Sequence, residues 1–350
     1  MPITVPDNWP EWSQDGLEYL GHCPVCGSDE RRSLHTNLID RWFHAPGRWT
    51  LHECSHCRSG YIDPRPNEAT VGLAYINYET HRPTEQQSAS RMRLSTRLRN
   101  GYLNTKYGYR MQPASKWGYL AMHLLPPPLR LEWDHYARHL AIPKPSQNKL
   151  LDVGCGNGDF LARARWQGWD VCGIDVDDYA LANARSAGIP VVHGTIEPER
   201  FAPESFDAIT SHQVIEHIHE PNRFLKTLYG WLKPGGHLWI GTPNMSSTLH
   251  SEFGADWRDL HPPQHLVLFS PDSLINATSS AGFVDARFLA RGYLDSHFYE
   301  QSLQMQAVTT VGDWTSLIEN CAYKASIPKK IALELSAWLS PERCSDLGKV

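Results

Sequence analysis

The feature that most constrains the fold is the stretch "LDVGCGNGDF" at residues 151–160. An apolar run breaks there into glycines at every second position, Gly154, Gly156 and Gly158. A glycine loop that follows an apolar strand pattern and precedes a helical pattern is typical of the first strand, loop and helix of a cofactor-binding α/β sheet.

The composition of this loop indicates the kind of ligand. A dinucleotide fingerprint requires G-x-G-x-x-G, and its third glycine position is occupied here by Asp159. A second acid, Asp152, lies inside the apolar run, two residues before the first glycine. A carboxylate at that place suits a cation better than a pyrophosphate. The loop therefore predicts a zwitterionic ligand with an ammonium group and disfavours an NAD-dependent dehydrogenase.

Length and charge limit the remaining possibilities. The 350 residues are enough for one large domain and a smaller appendage. A net charge of -5 argues against a general binder of nucleic acid. The sequence has neither a run of about 18 apolar residues nor the basic start and apolar core of a signal peptide. We therefore expect a cytoplasmic protein without a membrane span, whose cysteines are reduced.

Changes in composition divide the chain into four predicted regions. Residues 1–75 contain two cysteine pairs and end in a proline-rich segment. Residues 76–147 predict a helical connector or lid. Residues 148–300 alternate apolar runs with helical stretches, which predicts a doubly wound, mostly parallel sheet with a Rossmann-like α/β fold. Residues 301–350 predict a helical extension with an amphipathic helix around "KKIALELSAWL". The segment "PERCSDLGKV" is a poor strand candidate, so the final strand of the sheet is expected from "LEL" at residues 333–335 or is absent.

Ligands of such sheets bind at the carboxyl ends of the strands. Asp175 follows the second predicted strand, about 20 residues after the glycine loop, which is the spacing at which a carboxylate binds a ribose diol. The alternative is a helix N-cap, a role that Asp177 or Asp178 would also fill. The spacing favours a nucleoside ligand.

Across residues 149–290 the motifs "LDVGCGNGDF", "GIDVDDYALANAR", "GTIE", "FDAITSHQVIEHI" and "LKPGGHLWIGTPN" occur in order. In this order the chain resembles the class I S-adenosylmethionine-dependent methyltransferases. The resemblance implies that S-adenosylmethionine is the cofactor. The residues expected to bind it are Asp152, Gly154, Gly156 and Gly158 at the methionine half, Asp175 and Val176 at the ribose, Thr195 near the adenine, and Ser211, His212 and Gln213 at the sulfonium.

Methyl transfer to a hydroxyl requires alignment and a general base, and histidine suits that role near neutral pH. The candidates are His217 in "VIEHIHE" and His261 and His265 in "DLHPPQHLVLFS". In the methyltransferase subgroup that combines a cysteine module with this last element, the element borders the acceptor pocket. A structural hydrogen bond that fixes the proline-rich loop is the alternative role for His265, and a buried capping role is the alternative for His217.

Two C-x-x-C pairs, Cys23 with Cys26 and Cys54 with Cys57, are separated by 27 residues. Four thiolates in this arrangement are typical of a closed, structural Zn²⁺ site in a small zinc ribbon, and no ligand position remains for catalysis. Two disulfides are the disfavoured alternative.

The sequence between Glu85 and Glu132 has no acidic residue. This stretch predicts a cationic, aromatic surface and an anionic acceptor, with a solvated helix face as the alternative. The resemblance favours a small molecule or a sugar or glycan hydroxyl as acceptor. An RNA methyltransferase and a non-catalytic interaction protein that uses the zinc ribbon are the other hypotheses. The basic and aromatic residues concerned are Arg91, Arg93, Arg97, Arg99, Lys106, Arg110, Tyr102, Tyr107 and Tyr109.

Overall fold

The computed structural model describes residues 8–76, 94–125, 127–142, 148–289, 296–311 and 335–341. The strands in these ranges are β1 (Leu17–Glu18), β2 (Arg31–Leu38), β3 (Trp49–Cys54), β4 (Gly60–Ile62), β5 (Arg65–Pro66), β6 (Lys149–Val153), β7 (Asp170–Asp175), β8 (Val191–His193), β9 (Phe206–His212), β10 (Leu232–Thr242), β11 (Val267–Leu268), β12 (Phe283–Leu289) and β13 (Leu335–Pro341). The helices are α1 (Leu94–Tyr107), α2 (Gly118–Leu124), α3 (Pro127–Tyr136), α4 (Asp159–Gln167), α5 (Asp178–Ser186), α6 (Pro221–Trp231), α7 (Thr248–Phe253), α8 (Pro271–Ser280) and α9 (Ser296–Val311).

The centre of the molecule is a seven-stranded sheet with the strand order β12-β13-β10-β9-β6-β7-β8. Five neighbouring strands, from β8 through β7, β6 and β9 to β10, pair in parallel. Helices α4, α5 and α6 connect successive parallel strands. This architecture confirms the predicted doubly wound, mostly parallel α/β fold.

The C-terminal region differs from its sequence-based prediction. A helix is predicted around residues 329–339, but Leu335–Pro341 form strand β13, which pairs antiparallel with β10 on one side and β12 on the other. The backbone of this segment thus finds hydrogen-bond partners on both sides, and such tertiary pairing outweighs a helical apolar period. The sheet therefore has a final strand, which begins at the last residue of the "LEL" segment that the sequence offered as a candidate. Residues 329–334 lie outside the described residues.

The N-terminal cysteine module is built into the larger fold. Its antiparallel strands β2, β3 and β4 are extended by β11, where Val267 lies opposite Tyr61. The apolar core is continuous across this junction, because Cys23 and Tyr61 pack in the same cluster as Leu266 and Phe269. The module and the α/β domain therefore share both a sheet and a core.

The aromatic residues of the basic stretch form a core instead of the predicted surface. Tyr102, Tyr107 and Tyr109 are buried. The hydroxyls of Tyr102 and Tyr107 each donate a 2.8 Å hydrogen bond to Asp134, and Lys106 pairs with the same carboxylate at 2.7 Å. Because a buried carboxylate requires partners, these side chains are drawn inward. Arg91 and Arg93 lie outside the described residues.

Within the described ranges, no helix combines the length and the apolar character needed to cross a membrane.

Candidate cofactor and acceptor site

The glycine loop between β6 and α4 has a backbone that only glycine adopts easily. Gly154, Gly156 and Gly158 have φ angles of 71°, 52° and 81°. The loop is also tightly packed, since a Cβ atom on Gly154 would lie 2.2 Å from Cγ2 of Val214, and one on Gly158 would lie 2.8 Å from Cβ of Ala184. Larger residues are excluded at both places, and the backbone of the loop stays accessible to a ligand.

Asp175 lies at the carboxyl end of β7 and faces this loop. Its carboxylate accepts hydrogen bonds from the amides of Gly156, at 2.7 Å, and Asp177, at 2.9 Å. The N-cap of α5 is Asp177, whose side chain accepts from the amides of Tyr179 and Ala180. The capping alternative for Asp175 is therefore wrong, and this carboxylate remains at the place where a ribose diol is expected. Val176 and Thr195 are both exposed and follow β7 and β8 at the same edge of the sheet.

Asp152, in contrast, is fully buried and already has a cationic partner. Its Oδ1 accepts a 2.7 Å hydrogen bond from Thr210 and pairs with the guanidinium of Arg138. Burial raises the pKa of Asp152, and Arg138 opposes that rise. The sequence predicted an ammonium group of a ligand at this carboxylate, and Arg138 was missed.

The guanidinium of Arg138 stacks on two aromatic rings. It lies 3.5 Å from the ring centroid of Phe160 and 5.1 Å from that of Trp239. Because the residue lies between α3 and β6, outside any recognised motif, the sequence contains no local signal for this pairing. An arginine held in place between a carboxylate and two rings is well suited to bind a second carboxylate.

The residues expected at the sulfonium follow each other at the end of β9. Ser211 is buried within the sheet, between Val153 and Ile240 of the neighbouring strands. The ring centroid of His212 lies 5.5 Å from that of Trp239. Gln213 has a left-handed backbone with φ of 56°, and its amide donates to the carbonyl of Gly241 at 2.7 Å. Of the three, His212 and Gln213 lie at the carboxyl edge of the sheet, the edge that also carries the glycine loop.

The three predicted catalytic histidines lie together. The ring centroid of His265 is 4.8 Å from that of His217 and 5.0 Å from that of His261. Burial lowers the pKa of all three imidazoles, that of His217 to about 4. The rings are therefore neutral near pH 7, and each has one nitrogen lone pair.

Backbone carbonyls fix two of these rings. Nδ1 of His217 lies 2.8 Å from the carbonyl oxygen of Gln264, and Nδ1 of His265 lies 2.7 Å from that of Asp259. A carbonyl oxygen only accepts, so Nδ1 carries the proton in both rings and Nε2 has the lone pair.

The loop that holds His261 and His265 is anchored to the cysteine module. Gln264 donates to the carboxylate of Asp40 at 2.9 Å and to the carbonyl of Ala74 at 2.8 Å. Asp40 also accepts hydrogen bonds from the amides of Trp42 and Ala45. No local pattern in the sequence indicates the pairing of Asp40 with Gln264, because it joins residues 224 positions apart.

The four predicted metal-binding cysteines form one cluster. Sγ of Cys23 is 3.7 Å from Sγ of Cys57, and Sγ of Cys26 is 3.5 Å from Sγ of Cys54. Four sulfurs around Zn²⁺ at about 2.3 Å would be about 3.8 Å apart. The hydrogen bond between Cys23 and Cys57 lowers the pKa of Cys23 and raises that of Cys57. The described cysteines are free thiols, so the disulfide alternative is wrong and the geometry fits a tetrahedral ion.

Comparisons with known proteins identify relatives of this chain. A methyltransferase-domain family matches residues 129–286. The chain is 34% identical over 124 residues to a ubiquinone biosynthesis O-methyltransferase of Pseudomonas putida (strain GB-1), covering 33% of this chain and 51% of that protein. It is 31% identical over 170 residues to a protein of the same name from Bordetella avium, covering 44% of this chain and 68% of that protein.

A solved structure of an S-adenosylmethionine-dependent methyltransferase from Mesorhizobium loti aligns with 59% of this chain and 97% of that chain, at 19% identity and a TM-score of 0.38. The chain spans about half the length of the Pseudomonas relative. From the similarity to the Bordetella protein over two thirds of its length, together with the strand order and the glycine loop, we conclude that the chain belongs to the class I S-adenosylmethionine-dependent methyltransferases.

Proposed function

We propose that the protein transfers the methyl group of S-adenosylmethionine to a hydroxyl of a small molecule or of a sugar or glycan, with a histidine as general base. The observation that carries this proposal is the cluster of three neutral histidines formed by the segment after β9 and the loop before β11. Relatives named as O-methyltransferases support a hydroxyl acceptor.

The cofactor would supply a methyl group on a positively charged sulfur. In this chain the backbone of Gly154, Gly156 and Gly158 leaves room for its methionine half. The carboxylate of Asp175 would accept hydrogen bonds from the ribose diol. Arg138, held by Asp152, would bind the methionine carboxylate, because its guanidinium offers donors only. Val176, Thr195, Ser211, His212 and Gln213 would complete the site.

The acceptor step requires that a proton leave the hydroxyl as its oxygen attacks the methyl carbon. The carbon–sulfur bond breaks, S-adenosylhomocysteine leaves, and the proton passes to an imidazole. His265, His261 and His217 are the candidates for that base, since burial keeps all three neutral. Their depressed pKa values make them weak bases, which favours an acceptor with an acidic hydroxyl.

The cysteine cluster supports a structural Zn²⁺ ion in the same proposal, in a reducing, cytoplasmic setting. The buried tyrosines of the basic stretch weaken the RNA hypothesis, because stacking on bases requires exposed rings. The prediction of an anionic acceptor also loses the aromatic part of the surface on which it depended. The third hypothesis, a non-catalytic interaction protein, is decided by the experiment below.

The test is calorimetry of the purified, zinc-loaded protein with S-adenosylmethionine. We expect the wild type to bind and Asp175→Ala to lose binding. The matched control is Asp178→Ala, which should bind like the wild type. Asp178 is an exposed acid on α5 and pairs with Arg185 of the same helix at 2.8 Å. A panel of hydroxyl acceptors is then screened for formation of S-adenosylhomocysteine.

Absence of binding by the wild type would contradict the enzyme hypothesis and favour a non-catalytic role. Equal binding by Asp175→Ala would show that the ribose site has been placed wrongly.

A further inference from the structure

We propose that Glu216, His217 and His265 form a binding site for a divalent metal ion, separate from the cysteine cluster. The two residues after β9 and the one before β11 converge, and their ligand atoms all lie within 4.8 Å of one another. Glu216 is 0% exposed and His265 is 3% exposed. His217 is half-buried, so the set is largely enclosed by the protein and differs from an exposed acidic cluster.

The hydrogen bonds of the two histidines are those of metal ligands. In metal sites a ligating imidazole donates its other N–H to a carbonyl or carboxylate, which fixes both the tautomer and the ring orientation. His217 and His265 do this with the carbonyls of Gln264 and Asp259, at 2.8 Å and 2.7 Å. Their Nε2 lone pairs are thereby left for a ligand.

The carboxylate is oriented in the same way. Oε2 of Glu216 accepts a 2.9 Å hydrogen bond from the hydroxyl of Thr242, which is itself 0% exposed. Its backbone carbonyl accepts from the amide of Leu266, so the segment is tied to the loop that holds His265. A carboxylate buried to this extent is stabilised when a cation binds to it.

Two imidazoles and one carboxylate are the ligand set of catalytic sites for Zn²⁺ and related divalent ions, which keep positions open for substrate. Metal–ligand bonds of about 2.0–2.2 Å place the ligand atoms about 3–4 Å apart. The ligand atoms lie within 4.8 Å of one another, so they would have to approach by about 1 Å to reach that range. Arg258 lies near the histidines and pairs with Asp259 at 3.4 Å.

The site is next to the cofactor loop. Val214, two residues before Glu216, is the side chain that a Cβ on Gly154 would strike. A metal there would bind the oxygen of the acceptor and lower the pKa of its hydroxyl, a role that rests on the function proposed above. With His217 and His265 as ligands, His261 would take the hydroxyl proton.

The experiment uses the full-length protein loaded with one equivalent of Zn²⁺ for the four cysteines, and Co²⁺ as the probe. Nitrogen and oxygen ligands give Co²⁺ a visible d–d band without the near-ultraviolet charge-transfer band of thiolate ligands. The spectrum therefore separates the proposed site from the four cysteines. We expect one further Co²⁺ per chain in the wild type, with the thiolate band absent.

The variants are Glu216→Gln and His265→Gln, which can keep the hydrogen bonds to Thr242 and Asp259. Both should weaken Co²⁺ binding by about tenfold or more, whereas His123→Ala, at an exposed histidine on α2, should bind like the wild type. Unchanged zinc content and thermal unfolding show that each variant is folded. If His265→Gln does not fold, Glu216→Gln decides the question.

The inference is overturned if the wild type gives no such band, or if both folded variants bind Co²⁺ as well as the wild type does. Because methyl transfer is not part of the measurement, the two proposals fail separately. Cobalt binding without methyl transfer to any acceptor would support the site and contradict the proposed function. Methyl transfer without cobalt binding would support the proposed function and contradict the metal site.

Discussion

At the scale of the residue, burial decides the charge of the histidines. His217 lies between the cysteine module and the sheet, with Nδ1 2.8 Å from the carbonyl of Gln264 and 2.9 Å from the hydroxyl of Tyr75. The hydrogen bond to the carbonyl favours the protonated ring, but desolvation is the larger effect, and the pKa falls to about 4. A ring that stays neutral at physiological pH can accept a proton or bind a metal.

The same burial predicts that acid destabilises the protein. The pKa of His217 is about 4 in the folded state and about 6.5 when unfolded, so below 6.5 the unfolded chain binds more protons. The stability present above pH 6.5 is therefore lost as the pH falls towards 4. Between pH 7 and pH 5 this side chain alone should lower the free energy of unfolding by about 2 kcal/mol.

Urea denaturation at pH 7 and pH 5 measures this loss. His217→Gln keeps a donor for the carbonyl of Gln264 but does not titrate, so its loss on acidification should be smaller by about 2 kcal/mol. The same pH dependence in the variant and in the wild type would contradict the burial argument.

At the scale of the element, two glycines set how closely α1 and α2 approach. A Cβ on Gly118 would lie 2.2 Å from the carbonyl carbon of Gly101, and a Cβ on Gly101 would lie 2.1 Å from the carbonyl oxygen of Ser115. The contacts are with backbone atoms, which cannot move aside as a flexible side chain would. Helix α1 also carries Tyr102 and Tyr107, which bond to Asp134 in the core that the sequence had assigned to a basic surface.

We expect Gly118→Ala to destabilise the protein by about 1–3 kcal/mol, because the added methyl group forces the two backbones apart. Gly230, near the end of α6, has nothing within 4 Å of its Cβ position. The matched control Gly230→Ala should therefore be neutral or stabilise by about 0.5–1 kcal/mol, as alanine does in helices. Urea denaturation of both variants gives the comparison, and two equal effects would argue against close packing of α1 on α2.

At the scale of the whole molecule, the cysteine module and the α/β domain act as one unit. Strand β11 joins the sheet of the module, and it directly follows the loop that contains His261 and His265. Asp40 of the module holds the same loop through Gln264. Loss of the proposed Zn²⁺ ion should therefore affect residues that are far from the cysteines in sequence.

Hydrogen exchange before and after removal of zinc by a chelator tests this coupling. We expect faster exchange at the cysteine turns and also in residues 264–269, because β4 is the strand on which β11 pairs. Strand β7 is separated from β9 and β10 by β6, so the segment from β7 through α5 serves as the internal control. A change confined to the cysteine turns would contradict the coupling and leave the module with a purely local role.

The sequence by itself determined those features whose parts are close together along the chain. The glycine loop, the spacing from that loop to Asp175, the two cysteine pairs and the alternation of strands with helices all rely on local backbone geometry, which a short pattern specifies. They were sufficient for the fold class, the cofactor edge and the cysteine cluster. They also named the three histidines as candidates, but only the structure brings their rings together.

Only the tertiary structure decided the partners of buried groups. Arg138 with Asp152, Asp40 with Gln264, and Glu216 with Thr242 are pairs that no sequence spacing specifies, since each depends on which elements pack against each other. For the same reason Leu335–Pro341 became a strand, and the tyrosines of α1 became a core around Asp134. A buried polar group requires a hydrogen-bond partner, but that partner can lie at any distance along the chain.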